Sequence, residues 1–152
     1  MKRLYTIALF CAFAALSGQE VDRFRKLMQQ GEHSAAASKA LFEDSRKSYD
    51  TGSKPISLAF FALGNFLMAK HSSNPITQYS YFNKGRKALN EAVKKDPKNL
   101  EIRFMRFMSQ DQAPAALGYR TDLASDKKFI LSEVKRTSDP YLISKIKSYF
   151  KM

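Results

Sequence analysis

The stretch ALNEAVKKDPKNLEIRFMRFMSQ, residues 88–110, decides the fold because it contains the end of one helix and the start of the next. The pair Asp96-Pro97 ends the first helix, since proline disfavours helix for the residue before it. Asn99 is a good N-cap for a second helix that begins at Leu100. Hydrophobic residues recur at helical spacing on both sides of this break. We therefore predict two helices joined by a short turn, which is the unit of a helical repeat.

The same stretch mixes cationic with aromatic residues. A groove that binds single-stranded nucleic acid has the same composition, so this is the alternative hypothesis for the stretch. Such a groove needs both residue types on one surface. On a helix from Leu100, however, the apolar residues form a single stripe: Leu100, Phe104, Met105, Phe107 and Met108. Arg103, Arg106 and Gln110 fall on the opposite side. We expect the apolar stripe to face the core and the arginines to face solvent, so the spacing favours a helical seam.

Helical spacing of apolar residues continues along the rest of the chain, whereas the alternation typical of a strand never lasts. The other predicted helices cover about residues 20–30, 33–49, 56–70, 77–95, 121–136 and 141–152. The helix ISLAFFALGNFLMAK is apolar almost all round, so we expect burial on several of its sides. Gly85 lies in mid-helix, where glycine costs about 1 kcal/mol relative to alanine, and this predicts close approach of a neighbouring helix. The fold class is all-α.

One segment resembles a tetratricopeptide repeat. Four residues match the small, large, small and proline positions in the second helix of that repeat: Gly85, Leu89, Ala92 and Pro97. Leu63-Gly64 resembles the Leu-Gly pair of its first helix. The departures are a longer segment between Gly64 and Gly85 and the absence of tryptophan. The resemblance implies a tetratricopeptide-like antiparallel helix-pair solenoid of about six or seven helices.

The C-terminal segment YLISKIKSYFKM is predicted to be an amphipathic helix, and Ser138-Asp139-Pro140 signals its start. A solenoid needs a capping helix over its last apolar face, and we expect this helix to be that cap. The alternative is that it lies on an anionic membrane surface.

A longer resemblance covers about residues 55–130. The strings GNFLMAKHSSNP and YFNKGRKALNEAVKKDPKNLEIRFMRFMSQDQAP resemble a group of exported, uncharacterised proteins from Bacteroidota. This resemblance implies a periplasmic or outer-membrane-associated protein of a Gram-negative bacterium, with a helical-repeat-like fold. It transfers no catalytic residue.

The N-terminal segment MKRLYTIALFCAFAALSG, residues 1–18, has the pattern of a secretory signal peptide. Lys2 and Arg3 precede an apolar run that is shorter than the 20 or so residues of a membrane span, and small residues follow. We predict cleavage after Ser17 or Gly18, one helical domain over residues 19–152, and no integral membrane span in the mature chain. An uncleaved anchor is the alternative. The single cysteine, Cys11, lies in this leader, so the mature chain has no disulfide.

Charge and motifs limit the function classes. The formal net charge is +12, and it falls to +10 without Lys2 and Arg3, which suits a polyanion but does not require one. The sequence has no HExxH, P-loop or GxSxG motif, and we expect His33 and His71 to act at helix ends. We therefore predict no enzyme activity and no catalytic, cofactor-binding or metal-binding residue.

Three functional hypotheses follow. The first is a non-enzymatic envelope protein that binds a protein or peptide partner. The second is a basic protein that binds a polyanion such as lipopolysaccharide, anionic lipid or nucleic acid, and the third is a small cell-wall hydrolase. The candidate binding surface combines polar residues beside aromatic ones: Asn65, Tyr79, Tyr81, Arg103 and Arg106. For Asn65 the alternative is a hydrogen bond to the backbone of the NPITQY loop, since a buried amide needs partners.

Overall fold

The computed structural model describes residues 18–152, and this part of the chain is helical without a strand. Helix α1 covers residues 18–31, and the later helices are α2 (Ala35–Gly52), α3 (Pro55–His71), α4 (Pro75–Lys95), α5 (Leu100–Gln112), α6 (Leu123–Glu133) and α7 (Pro140–Phe150). A short 3-10 turn, Ala115–Leu117, lies between α5 and α6. The predicted all-α class is confirmed. Residues 1–17, which hold all but the last residue of the predicted signal peptide, lie outside the described residues.

Side-chain caps explain where several helices begin. The capping oxygens of Ser34, Asn74, Asn99 and Asp139 each accept a hydrogen bond from a backbone N–H of the first turn. Asn99 accepts from the Ile102 N–H at 3.2 Å, as predicted. Pro140 occupies the first turn of α7, where its missing N–H costs nothing.

Helix α3 packs between α2 and α4, and glycine allows both approaches. A Cβ atom on Gly64 would lie 2.8 Å from the Cα atom of Phe42 in α2. A Cβ atom on Gly85 of α4 would lie 2.8 Å from the Phe66 ring and 3.0 Å from the Ala62 carbonyl oxygen of α3. The close approach predicted at Gly85 is therefore confirmed, and the burial of α3 on several sides follows from it.

The ends of α1 and α3 meet at the carbonyl oxygen of Gly31. His71 Nε2 lies 2.6 Å from this oxygen, and Ser38 Oγ of α2 donates to it at 2.9 Å. The predicted helix-end role of His71 is thereby confirmed.

Two apolar clusters form the core, and α5 contributes to both. Ile102 and Met105 belong to the cluster built with α1–α4, whereas Phe104 and Phe107 belong to the cluster built with α6 and α7. Phe104, Met105 and Phe107 of the predicted stripe are buried, whereas Leu100 and Met108 are half-buried, and the stripe is not the only buried face of this helix. Helix α5 therefore joins the two clusters.

The prediction that the arginine side of α5 faces solvent is wrong, because α6 packs against that side. Arg106 donates from Nε and Nη2 to the two carboxylate oxygens of Asp126, at 2.7 and 2.9 Å. Arg103 Nε donates to the same carboxylate, and Asp126 is 0% exposed. Gln110 is also buried and exchanges two hydrogen bonds of 2.9 Å with Asp122. A polar seam therefore joins α5 to α6.

Candidate functional site: an apolar groove between alternate helices

A groove of about 720 Å³ opens between alternate helices of the described chain. Its walls come from α1, α3, α5 and α7, and α4 adds Phe82. The walls are mostly apolar and include Met28, Leu63, Phe66, Met105, Met108 and Tyr141. This volume lies within the range of about 300–1,000 Å³ that ligand-binding pockets occupy.

Helical spacing explains how α3 forms one wall of the groove. The α3 wall consists mainly of Leu63, Phe66, Leu67 and Lys70, which follow one another at intervals of three, one and three residues and so share one face. Methionine side chains are unbranched and adapt their shape to what they contact. With Met28, Met105 and Met108 in its walls, the groove can adjust to apolar side chains of different shape.

A partly buried ionic cluster borders the groove. Arg25 of α1 donates from Nε and Nη2 to the two carboxylate oxygens of Glu101, each at 2.8 Å, and from Nη2 to Asp139 at 2.7 Å. The guanidinium carbon lies 4.2 Å from the centroid of the Tyr141 ring. Arg25 therefore ties α1 to α5 and to the cap of α7, and both Glu101 and Tyr141 line the groove.

The pKa values of the two carboxyl groups in this cluster, Glu101 and Asp139, are shifted in opposite directions. Burial raises the pKa of Glu101 above its ordinary value, and the hydrogen bonds from Arg25 oppose that shift without cancelling it. Burial also acts to raise the pKa of Asp139, but hydrogen bonds from Arg25 and from the Leu142 N–H outweigh it, so this pKa lies below its ordinary value. Together with the Leu142 N–H, the Arg25 guanidinium therefore outweighs the effect of burial on the pKa of Asp139, but it does not outweigh that effect on the pKa of Glu101.

The rim of the groove carries charges of both signs. Lys70 pairs with Glu32, so that pair is internally neutral. Lys145 lies 5.7 Å from the centroid of the Tyr141 ring, and no carboxylate within residues 18–152 forms an ion pair with it. Both carboxylates that line the groove, Glu32 and Glu101, are paired with cations. The charge left for a ligand at this rim is positive.

Two further properties of residues 18–152 bear on the site. This part of the chain holds no group of three His, Cys, Asp or Glu side chains placed to bind a metal ion. It also holds no helix that is both long and apolar enough to span a bilayer.

The structure does not bring the five sequence-predicted site residues together. Asn65 is buried, and its Nδ2 donates to the Phe61 carbonyl of its own helix at 2.9 Å rather than to the NPITQY loop. Tyr81 packs edge-on against Phe42 with 6.0 Å between the ring centroids. Arg103 and Arg106 pair with Asp126, as described above. Tyr79 is exposed and borders a second cavity beside the groove.

The residues that form the groove were missed because their pattern is that of core residues. Met105 and Met108 belong to the stripe that the spacing assigned to the interior, and Lys145 lies on the predicted amphipathic C-terminal helix. The spacing of apolar residues along a helix is the same whether they pack against another helix or line an open groove, so the sequence does not distinguish the two cases.

Comparisons with family models, with curated proteins and with solved structures each found no match to this chain.

Proposed function

We propose that this chain is a non-enzymatic, exported helical-repeat protein whose groove binds a segment of a protein or peptide partner in the envelope of a Gram-negative bacterium. The observation that carries the proposal is the apolar groove of about 720 Å³, with the cation of Lys145 at its rim. A mostly apolar concave site with a few polar groups is the usual form of a binding pocket.

The order of the helices around the groove supports a solenoid. In a stack of helix pairs, the first helices of successive pairs stand side by side on one face. Here α1, α3, α5 and α7 line the groove, whereas α4 contributes only Phe82. Helices α3 and α4 carry the residues that resemble a tetratricopeptide repeat, and α3 would be the first helix of that pair. Helix α7 covers Phe104 and Phe107 with Leu142 and Ile146, as a cap would.

The contacts give less support to the two alternatives. A polyanion site would have to work without Arg103 and Arg106, because both are paired with Asp126. A hydrolase that uses two carboxylates needs them facing each other across a cleft. The two carboxylates that line the groove, Glu32 and Glu101, are instead held by Lys70 and Arg25.

Export is tested by processing. Mass spectrometry of the protein from the envelope fraction of its native host should show a mature N-terminus at Gly18 or Gln19. Recovery of chains that keep Met1 would overturn this part of the proposal.

The groove is tested with a displayed library of random linear peptides. The mature protein should enrich peptides, and Ala69→Trp should weaken their binding at least about tenfold, or about 1.4 kcal/mol, because Ala69 lines the groove. Ala36→Trp is the matched control, since Ala36 is exposed on α2 and does not line the groove. Circular dichroism would establish that both variants fold. Failure to enrich any peptide, or equal binding to the two variants, would contradict the proposal.

A further inference from the structure

Two exposed apolar side chains stand together on the first turns of α4. Within residues 18–152 the exposed large hydrophobic residues are Ile76, Tyr79 and the C-terminal Met152. Ile76 is 82% exposed and Tyr79 is 58% exposed. Because they lie three residues apart on a helix, their side chains are neighbours. We name this pair the α4 ledge.

The ledge is held by a well-capped helix start. The Asn74 side chain accepts hydrogen bonds from the Ile76 and Thr77 N–H groups, at 2.9 and 3.1 Å. Gln78 Nε2 donates to the Ser72 carbonyl at 2.6 Å, and Pro75 occupies the first turn. The backbone below Ile76 is therefore fixed, and the exposure of its side chain does not come from a frayed helix end.

The ledge is continuous with the groove. A second cavity of about 440 Å³ lies between the end of α3, the start of α4 and the 3-10 turn, and Tyr79 lines it. Ala69, Lys70 and Phe82 line both this cavity and the groove. One surface therefore runs from the groove across Phe82 to the ledge, and contiguous exposed apolar surface marks interaction sites.

Backbone chemistry indicates the conformation of the occupant. An extended peptide leaves its N–H and C=O groups to its binding site or to water; one common way to pair them is along a strand edge, and residues 18–152 offer no strand. A helical segment satisfies its own backbone hydrogen bonds and needs only an apolar surface beneath it.

Charge indicates a feature of its sequence. Lys145 is exposed at the rim on α7 without an ion-pair partner among the described residues, so an acidic side chain of the occupant would complement it.

We propose that the groove and the α4 ledge together dock one amphipathic helix of a partner protein, with its apolar face toward Phe82 and Met105 and an acidic residue against Lys145. This inference rests on the proposed function and specifies the class of its ligand. The apolar face of the helix covers the ledge at one end and reaches the groove walls at the other.

The experiment uses two displayed libraries and the mature protein as bait. One library presents randomised positions at i, i+3, i+4 and i+7 of an alanine-rich helical scaffold, and the other presents them on a proline-spaced extended scaffold. We expect binders from the helical library, enriched in Asp or Glu. Tyr79→Ser and Lys145→Glu should each weaken a selected helix about tenfold, and changing its acidic residue to lysine should restore binding to Lys145→Glu. Lys147→Glu is the matched charge control, because Lys147 is exposed on α7 and does not line the groove.

Several results would overturn the inference. If the extended library supplied the binders and Ala69→Trp abolished their binding, the proposed function would stand and the helical occupant would be wrong. If neither Tyr79→Ser nor Lys145→Glu changed the affinity of the selected helices, the α4 ledge and the acidic contact would not be part of the binding site. If the protein bound phosphatidylglycerol vesicles and Ile76→Ser abolished this binding, the α4 ledge would be a membrane contact and the inference would be wrong. Absence of binders from both libraries would reject the inference and the proposed function together.

Discussion

Arg25 and Glu101, 76 residues apart in the chain, are joined at two points: the guanidinium Nε and Nη2 each donate to a different carboxylate oxygen at 2.8 Å. The side chains of both residues are nearly buried, at 12% and 9% exposure. Paired donors and acceptors of this kind fix orientation as well as distance. The pair therefore sets the position of α1 relative to α5 beside the groove.

Removal of Arg25 should destabilise the protein strongly. Arg25→Ala leaves the Glu101 carboxylate buried without its cation, and breaking one side of a buried ion pair costs about 3–5 kcal/mol. Urea denaturation monitored by circular dichroism measures the change. Arg23→Ala is the control, because Arg23 is 63% exposed in its pair with Asp44 and exposed pairs contribute about 0–1 kcal/mol. Equal losses in the two variants would contradict the assigned role.

Acid should destabilise the native protein partly through Asp139. The pKa of Asp139 is lowered in the folded state, so ionised Asp139 contributes stability above its unfolded pKa of about 3.9. That contribution is lost as the pH falls through the folded pKa. Asp139→Asn keeps a capping oxygen but cannot ionise, so its stability should fall less steeply than that of the native protein below about pH 4.

The measurement compares the free energy of unfolding of the native protein and of Asp139→Asn across pH. Both proteins are needed, because Glu101 affects stability in the opposite direction. Its pKa is raised, so its contribution is present at low pH and is lost as the pH rises through its folded pKa. Identical pH dependence of the free energy of unfolding in the native and Asp139→Asn proteins would refute the assignment to Asp139.

Gly64→Ala should destabilise the contact between α2 and α3. The new methyl group would lie 2.8 Å from the Cα atom and 3.0 Å from the backbone N of Phe42, and backbone cannot move aside as a flexible side chain can. Overpacking of this kind costs about 1–3 kcal/mol, partly offset by the better helix propensity of alanine. Gly52→Ala is the control, since its nearest contact would be an ordinary 3.8 Å from Lys54. A thermal melt in which Gly64→Ala is as stable as Gly52→Ala would contradict this packing.

Arg106→Ala should cost more stability than Arg103→Ala. Arg106 donates two hydrogen bonds to the fully buried Asp126, and its loss leaves only the bond from Arg103, so the cost should approach the roughly 3–5 kcal/mol of a broken buried pair. Without Arg103, Asp126 keeps both bonds from Arg106. The reverse order in denaturant titrations would show that the seam between α5 and α6 is held differently.

Binding to heparin, DNA or anionic lipid should be weak and lost by physiological salt. A site that neutralises several phosphates together gives a steep fall of affinity with salt, and the two arginines that would lead such a site are occupied by Asp126. Titration with each polyanion at rising salt measures the affinity. Lys84→Ala/Lys87→Ala is the variant, because it removes two exposed cations. Tight binding near 150 mM salt that the double variant abolishes would favour the polyanion hypothesis.

Local chemistry made much of the fold predictable. Asn99 and Asp139 mark helix starts with their own side chains, and Gly85 indicates a close approach because glycine is unfavourable in mid-helix. Each of these signals acts within a few residues of the chain, so a single sequence contains it.

The candidate site was not predictable in the same way. Arg106 was expected in solvent, and its partner Asp126 comes from a helix that the sequence does not place beside α5. Met105 and Met108 have the spacing of core residues whether their stripe meets a helix or an open groove. Both outcomes depend on how helices distant in the chain assemble, and periodicity within one helix does not contain that information.

The placement of α5 bears on how the chain opens. Ile102 and Met105 face one cluster and Phe104 and Phe107 face the other, so loss of either cluster exposes apolar surface on a helix that the other still holds. Opening one cluster alone is therefore costly, and we expect the two clusters to open together. The amide hydrogens of α5 would then be among the last to exchange with solvent.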